Sequence, residues 1–168
     1  FQLFLIVLFI FSTAFSKAIS SEEKIKIGLL VPMSGDNKDL GELIIKSTRL
    51  ALKDISSDEI EIYPKDSGSN PTQSLKSASE FERMGVKIVI GPIFYKSLIY
   101  LDEVEQITFL SLTNKTIDIP KNVISSGINA TSQLNTIKKF IEENEIKKTI
   151  FLTPNLDYKI EIQKAIKQ

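Results

Sequence analysis

Short apolar runs alternate with amphipathic stretches from Lys24 to the end of the chain, and this alternation limits the folds available to it. "KIKIGLLVP" is a β-rich run closed by Pro32. The following "DLGELIIKSTRLALKDI" places Leu40, Leu43, Ile44, Ala51 and Ile55 at helical spacing, with Asp39 and Glu42 as a capping box. "EIEIYPKD" alternates apolar and charged residues, as a strand near a sheet edge does. Asn70-Pro71-Thr72-Gln73 then starts a helix with a side-chain cap and a proline at the first helical position, predicted to run to Met84 and stop at Gly85. "VKIVIGP" is mostly apolar and so a central strand. Helix "YKSLIYLDEVE", strand "ITFLSLT" and short strand "NVISSGI" come next. "TSQLNTIKKFIEENE" is a helix with Leu134, Ile137 and Ile141 on one face and Thr131 as its cap. Strand "KTIFLTP" and helix "YKIEIQKAIK" close the series. Consecutive parallel strands need a crossover, so the expected fold class is α/β: a mainly parallel, doubly wound sheet with helices on both faces.

In such a sheet every strand-to-helix turn lies on one edge, where polar residues distant in sequence converge. The turns here are "PMSGDNKD", "KDSGSNP", "GPIFYKS", "SLTNKT" and "TPNLDY". They offer Ser34 and Gly35, then Asp66, Ser67 and Gly68, then Ser111, Thr113 and Asn114. Free N–H groups at the adjoining helix starts suit a carboxylate or another anion. The same residue types also cap helices and fill turns in any protein. In "VIGPIFYKS", Gly91 lets the chain turn, Pro92 ends the strand, and Phe94 is expected to anchor the helix beneath. Tyr95 is the candidate for the cleft, because its hydroxyl needs a partner while its ring can cover a ligand.

Composition narrows the chemistry. Cysteine and histidine are both absent, which removes thiolate nucleophiles, imidazole bases and the common soft-metal ligands, so no cofactor or metal is expected. Twenty-one basic residues balance 21 acidic ones, so no net field favours nucleic acid. "SGD" lacks the glycine spacing of a phosphate loop. A carboxylate-dependent hydrolase would need two acids about 5 to 10 Å apart, and Asp36, Asp66 and Asp157 are the acids at the predicted edge. "FQLFLIVLFIF" is too short to span a bilayer of about 20 helical residues and suits the apolar region of a signal peptide. Cleavage after Ala18 is expected, giving a periplasmic or secreted protein; an uncleaved membrane anchor is the other reading. The chain opens on Phe1, so a fragment of a longer protein is expected.

Taken together, "KIGLLVPMSGDNKDLGELIIKSTRLAL", "YPKDSGSNPTQSLKSASEF", "GVKIVIGPIFYKSL", "ITFLSLTN" and "KTIFLTPNLDY" resemble the type I periplasmic-binding-protein superfamily. They are similar to its branched-chain amino-acid-binding members and closer to the penicillin-binding-protein activator family. The resemblance implies two lobes with a ligand cleft between them. Segment 1–18 would be the signal peptide, 24–127 lobe one, and 128–168 the truncated start of lobe two. Carried over position by position, the cleft-lining residues are Ser34, Gly35, Tyr95, Ser111, Thr113, Asn114 and Tyr158. In amino-acid-binding relatives a serine holds the ligand carboxylate where Tyr95 stands, and glycine occupies the place of Lys159. Both departures weaken the case for an amino acid. The implied function is non-catalytic: binding a small polar ligand for a membrane permease of the ABC type, or contacting a cell-wall synthase as a regulator.

Overall fold

A sheet edge needs a partner strand before anything else, and β1 (Ile25–Val31) finds one on each side. The computed structural model of the protein describes residues 24–153 and 158–167. Segment 1–18, expected as a signal peptide, lies outside them, and so does Asp157. After β1 come α1 (Lys38–Ile55), β2 (Ile60–Asp66), α2 (Pro71–Arg83) and β3 (Ile88–Ile90). Two 3₁₀ turns, Tyr95–Leu98 and Leu101–Glu103, lead to β4 (Thr108–Ser111) and β5 (Val123–Ser125). Helices α3 (Ala130–Glu143) and α4 (Lys159–Ile166) complete the series. The strand order is β2-β1-β3-β4-β5, and every neighbouring pair is parallel. This is the doubly wound α/β sheet that the alternating pattern predicts, with β3 central and β2 at an edge.

The core lies on the face that α2 covers. Leu30, Val89, Phe109 and Val123 point from four strands toward Ala78 and Phe81 of α2, with Leu98, Leu101, Val104 and Ile107 closing the side. Full burial of Phe81 alone is worth about 2 to 3 kcal/mol. The opposite face is thinner. There α1 buries only Gly41, whose Cβ, were one added, would lie 1.6 Å from the Pro32 carbonyl oxygen. Only glycine lets the start of α1 cross the end of β1 so closely. A groove of about 540 Å³ remains between α1 and the β2 edge, lined by Ile45, Leu52, Ile60, Ile62 and Pro64 among others.

Four local expectations change. The α1 cap position is Asn37, with no side-chain cap bond, because the Gly35 turn starts the helix early and leaves Asp39 inside its first turn. For α3 the cap is Asn129, which accepts from the Ser132 N–H at 3.0 Å, rather than Thr131. "YKSLIYLDEVE" forms 3₁₀ turns instead of an α-helix, since its buried Leu98, Leu101 and Val104 recur every three residues and so favour three residues per turn. Lastly, "KTIFLTP" forms no strand in its described part. Among the described residues it has no neighbouring strand to pair with, and Ile150 and Leu152 are 88% and 93% exposed. The α2 cap holds: Asn70 accepts from the Gln73 N–H at 2.9 Å.

Candidate functional site

Parallel alignment brings the ends of β2, β1, β3 and β4 to one edge in that spatial order. At its left end the Asp66 carboxylate fastens two turns together. One oxygen accepts from the Met33 N–H at 2.7 Å and the Gly68 N–H at 2.8 Å; the other accepts from the Ser34 hydroxyl at 2.5 Å. Burial pushes this carboxyl up, but the Ser34 hydroxyl and the backbone donors outweigh it and hold the group below its ordinary value. Ser34 is therefore exposed yet already donating. Gly35 beside it is exposed, at φ 71°, and its carbonyl accepts from the Lys38 N–H.

Next in order is the turn after β3. Gly91 sits at φ 103°, where a Cβ would lie 2.1 Å from the Leu30 carbonyl oxygen, so the turn nests directly on β1. It is Tyr95 whose ring packs against the core cluster; Phe94, expected as the anchor, is half-buried outside that cluster. The Lys115 ammonium, arriving from the β4 turn, stands 4.9 Å from the centre of the Tyr95 ring.

The β4 turn is built largely from its own hydroxyls. Ser111 is fully buried, donating to the Pro92 carbonyl at 2.7 Å and accepting from the Thr113 N–H at 3.2 Å. Thr113 is 3% exposed; its hydroxyl accepts from the Lys115 N–H, and its carbonyl accepts from the Ser125 hydroxyl and the Gly127 N–H. Both residues shape the turn from inside. Asn114 is exposed, and its carbonyl accepts from the Tyr158 hydroxyl at 3.4 Å.

Tyr158 precedes α4, and the Ala130 N–H donates to its oxygen, so one phenol joins the β4 turn to the start of α3. Burial and the neighbouring Glu161 push that phenol above its usual value. Glu161, 4% exposed, reaches the same turn. One of its oxygens accepts from the Thr116 and Ile117 N–H groups, each at 2.8 Å; the other accepts from the Thr116 hydroxyl at 2.7 Å. Burial opposes ionisation here too, but the Thr116 and Ile117 donors and nearby Lys115 hold the carboxyl below its ordinary value.

Tyr95, Lys115, Asn114 and Tyr158 are thus brought together from three turns, while Ser34 and Gly35 sit two strands away from the β4 turn, beside Asp66. Lys115 and Glu161 were missed by sequence reasoning. For Glu161 a signal exists: it lies four residues before buried Ala165, on the inward face of α4. Asp36 is exposed, and Asp66 is committed to three donors and held ionised, a poor arrangement for a general acid.

A parallel α/β sheet with its strand-end turns gathered on one edge fits the family comparison. The periplasmic binding protein family model matches residues 24–168, and the chain belongs to that family. No curated protein sequence matches. Among solved structures, the C-domain of LpoA from Haemophilus influenzae, a regulator of PBP1A, superposes with TM-score 0.66 at 19% identity, over 83% of this chain and 44% of that one. An ABC-transporter solute-binding protein from R. palustris, in complex with 4-hydroxybenzoate, gives 0.65 at 18% identity over 86% and 43%. The branched-chain amino acid binding protein LivJ from Streptococcus pneumoniae, in complex with isoleucine, gives 0.61 at 20% over 86% and 46%. The chain spans less than half the length of each.

Proposed function

We propose that this chain belongs to an extracytoplasmic solute-binding protein that takes a small polar ligand at the strand-end edge and presents it to a membrane permease. The observation that carries this reading is the meeting of Tyr95, Lys115, Asn114 and Tyr158. Lys115 supplies the cation, the Tyr95 ring a flat apolar wall, and Asn114 an exposed amide. That set suits an anionic ligand with an apolar body better than a zwitterionic amino acid, whose ammonium group would meet Lys115. In this reading 24–127 is one lobe and 128–168 begins the second, so Tyr158 would reach the ligand from the far side. Thermal-shift and calorimetric titration with small aromatic and aliphatic carboxylates tests it. A carboxylate should raise Tm, and Lys115→Met should weaken its binding about tenfold or more while changing stability by less than about 1 kcal/mol. No shift with any carboxylate, or binding indifferent to Lys115, overturns it.

A second reading, regulation of a cell-wall synthase by contact, draws support from Ser111 and Thr113. Both hydroxyls are buried and bonded within the turn, which leaves the edge fewer free donors for a solute. Retention of such a synthase by the chain, with no metabolite shift, would favour it.

A further inference from the structure

Helices α3 and α4 pack against each other, and neither packs extensively on a strand. Most of α3 is exposed from Ser132 onward. What joins this helical pair to the sheet, apart from the connecting chain near Gly127, is concentrated at the start of α4. There Glu161 holds Thr116 and Ile117 across 45 and 44 residues of sequence, and Tyr158 holds Asn114 across 44.

We propose that Glu161 is a built-in latch: its carboxylate fixes the helical pair against the β4 turn, so that the position of α3 and α4 relative to the sheet is set by the chain itself and not by a ligand. The bonding pattern is what an anion-binding turn offers a ligand, two successive N–H groups and a hydroxyl converging on one carboxylate. Here the carboxylate is covalently part of α4. An ionised group at 4% exposure needs all three donors, so separating α4 from the turn would leave a charge to be rehydrated and two N–H groups to find new partners. Neither cost depends on solute. Swinging of the helical pair must break the latch first, and the latch rather than an occupant sets the resting geometry at this end of the edge.

The test uses the full chain, without ligand, so a failure to bind carboxylates in the experiment above has no bearing on it. Amide exchange is compared between the wild type and Glu161→Gln, which keeps the shape and removes the charge. Thr116 and Ile117 should exchange about tenfold or more faster in the variant while Val89 and Phe109 in the core stay protected. Because the chain has no cysteine, Lys46→Cys on α1 and Lys138→Cys on α3 can be spin-labelled without competition. Their distance distribution should be single and narrow in the wild type and broader or shifted with Gln at 161. If Glu161→Gln fails to fold, seen as lost protection at Val89, then Thr116→Val, which removes only the hydroxyl, should show the same changes in smaller measure. Unchanged exchange at Thr116 and Ile117, or superimposable distance distributions, overturns the proposal.

Discussion

Asp66 and Glu161 are the same chemical device used in two places. In each, one carboxylate oxygen accepts two backbone N–H groups and the other accepts a hydroxyl, Ser34 at one site and Thr116 at the other. Their surroundings differ. Asp66 ends a strand already in seven-residue register with β1, and Val31, opposite it, precedes the donors Met33 and Ser34 by two and three positions. The sheet has done the alignment before the carboxylate acts. Glu161 has no ladder behind it, and its donors lie on a separate element. Identical bonds therefore trim a turn at one site and place a pair of helices at the other.

That difference predicts unequal costs of removal. Glu161→Ala empties a buried position and leaves the Thr116 and Ile117 N–H groups and the Thr116 hydroxyl without their carboxylate, and should destabilise the chain by about 2 to 3 kcal/mol. Asp66→Ala should cost about 1 to 2 kcal/mol, because half-buried Asp66 is replaced by water and the β1–β2 register persists. Denaturant midpoints measure both. An Asp66→Ala cost equal to or above that of Glu161→Ala would break the comparison.

Acid separates the two more finely. Both carboxyls are held below their ordinary values in the folded chain. Each therefore contributes stability that is complete above the ordinary carboxylate range of about 4 and is lost as pH falls below it toward the folded value. Lys115 from the turn and Tyr158 at the start of α4 are the other titratable or charged groups acting on Glu161. Surface Glu61, held low by Tyr63 and Lys24, and Glu80, held low by Lys65, titrate in every variant and cancel in a difference. The loss of stability between about pH 6 and pH 3 should be shallower in Glu161→Gln than in the wild type, with Asp66→Asn between them. Parallel acid limbs for all three would show that neither bonded state is tied to folding.

The two sites were unequally legible. The strand end at Asp66 could be read because β2 alternates and closes on a Ser-Gly-Ser-Asn turn, so local pattern alone puts Asp66, Ser67 and Gly68 at the edge. The same holds for Asn70, whose cap is a bond over three residues. Glu161 could not be paired with Thr116 by any such rule, since their meeting depends on how a loop and a helix dock across 45 residues. The 3₁₀ turns show an intermediate case. Their spacing of three was present in Leu98, Leu101 and Val104, but an apolar run of that length fits a helix equally well until burial chooses. "KTIFLTP" is the reverse: its β-propensity is real, yet a strand is a relation to a neighbour, and the described residues supply none.

The finest contrast is between single hydroxyls. Ser34→Ala and Thr116→Val each remove one O–H donor to a carboxylate and leave its two N–H donors in place. At Asp66 the serine is exposed, so water takes over the vacated lone pair and the cost should stay below about 0.5 kcal/mol. At Glu161 the acceptor belongs to a residue only 4% exposed, so although Thr116 itself is exposed, water replaces the lost donor less completely than at Asp66 and about 1 kcal/mol is expected. A double-mutant cycle with Glu161→Gln assigns the loss. The Thr116→Val penalty should shrink to a few tenths of a kcal/mol once the charge is gone, because a neutral amide needs the hydroxyl less than a carboxylate does. A penalty of the same size in both backgrounds would place the role of Thr116 in its own turn and leave the carboxylate as a bystander.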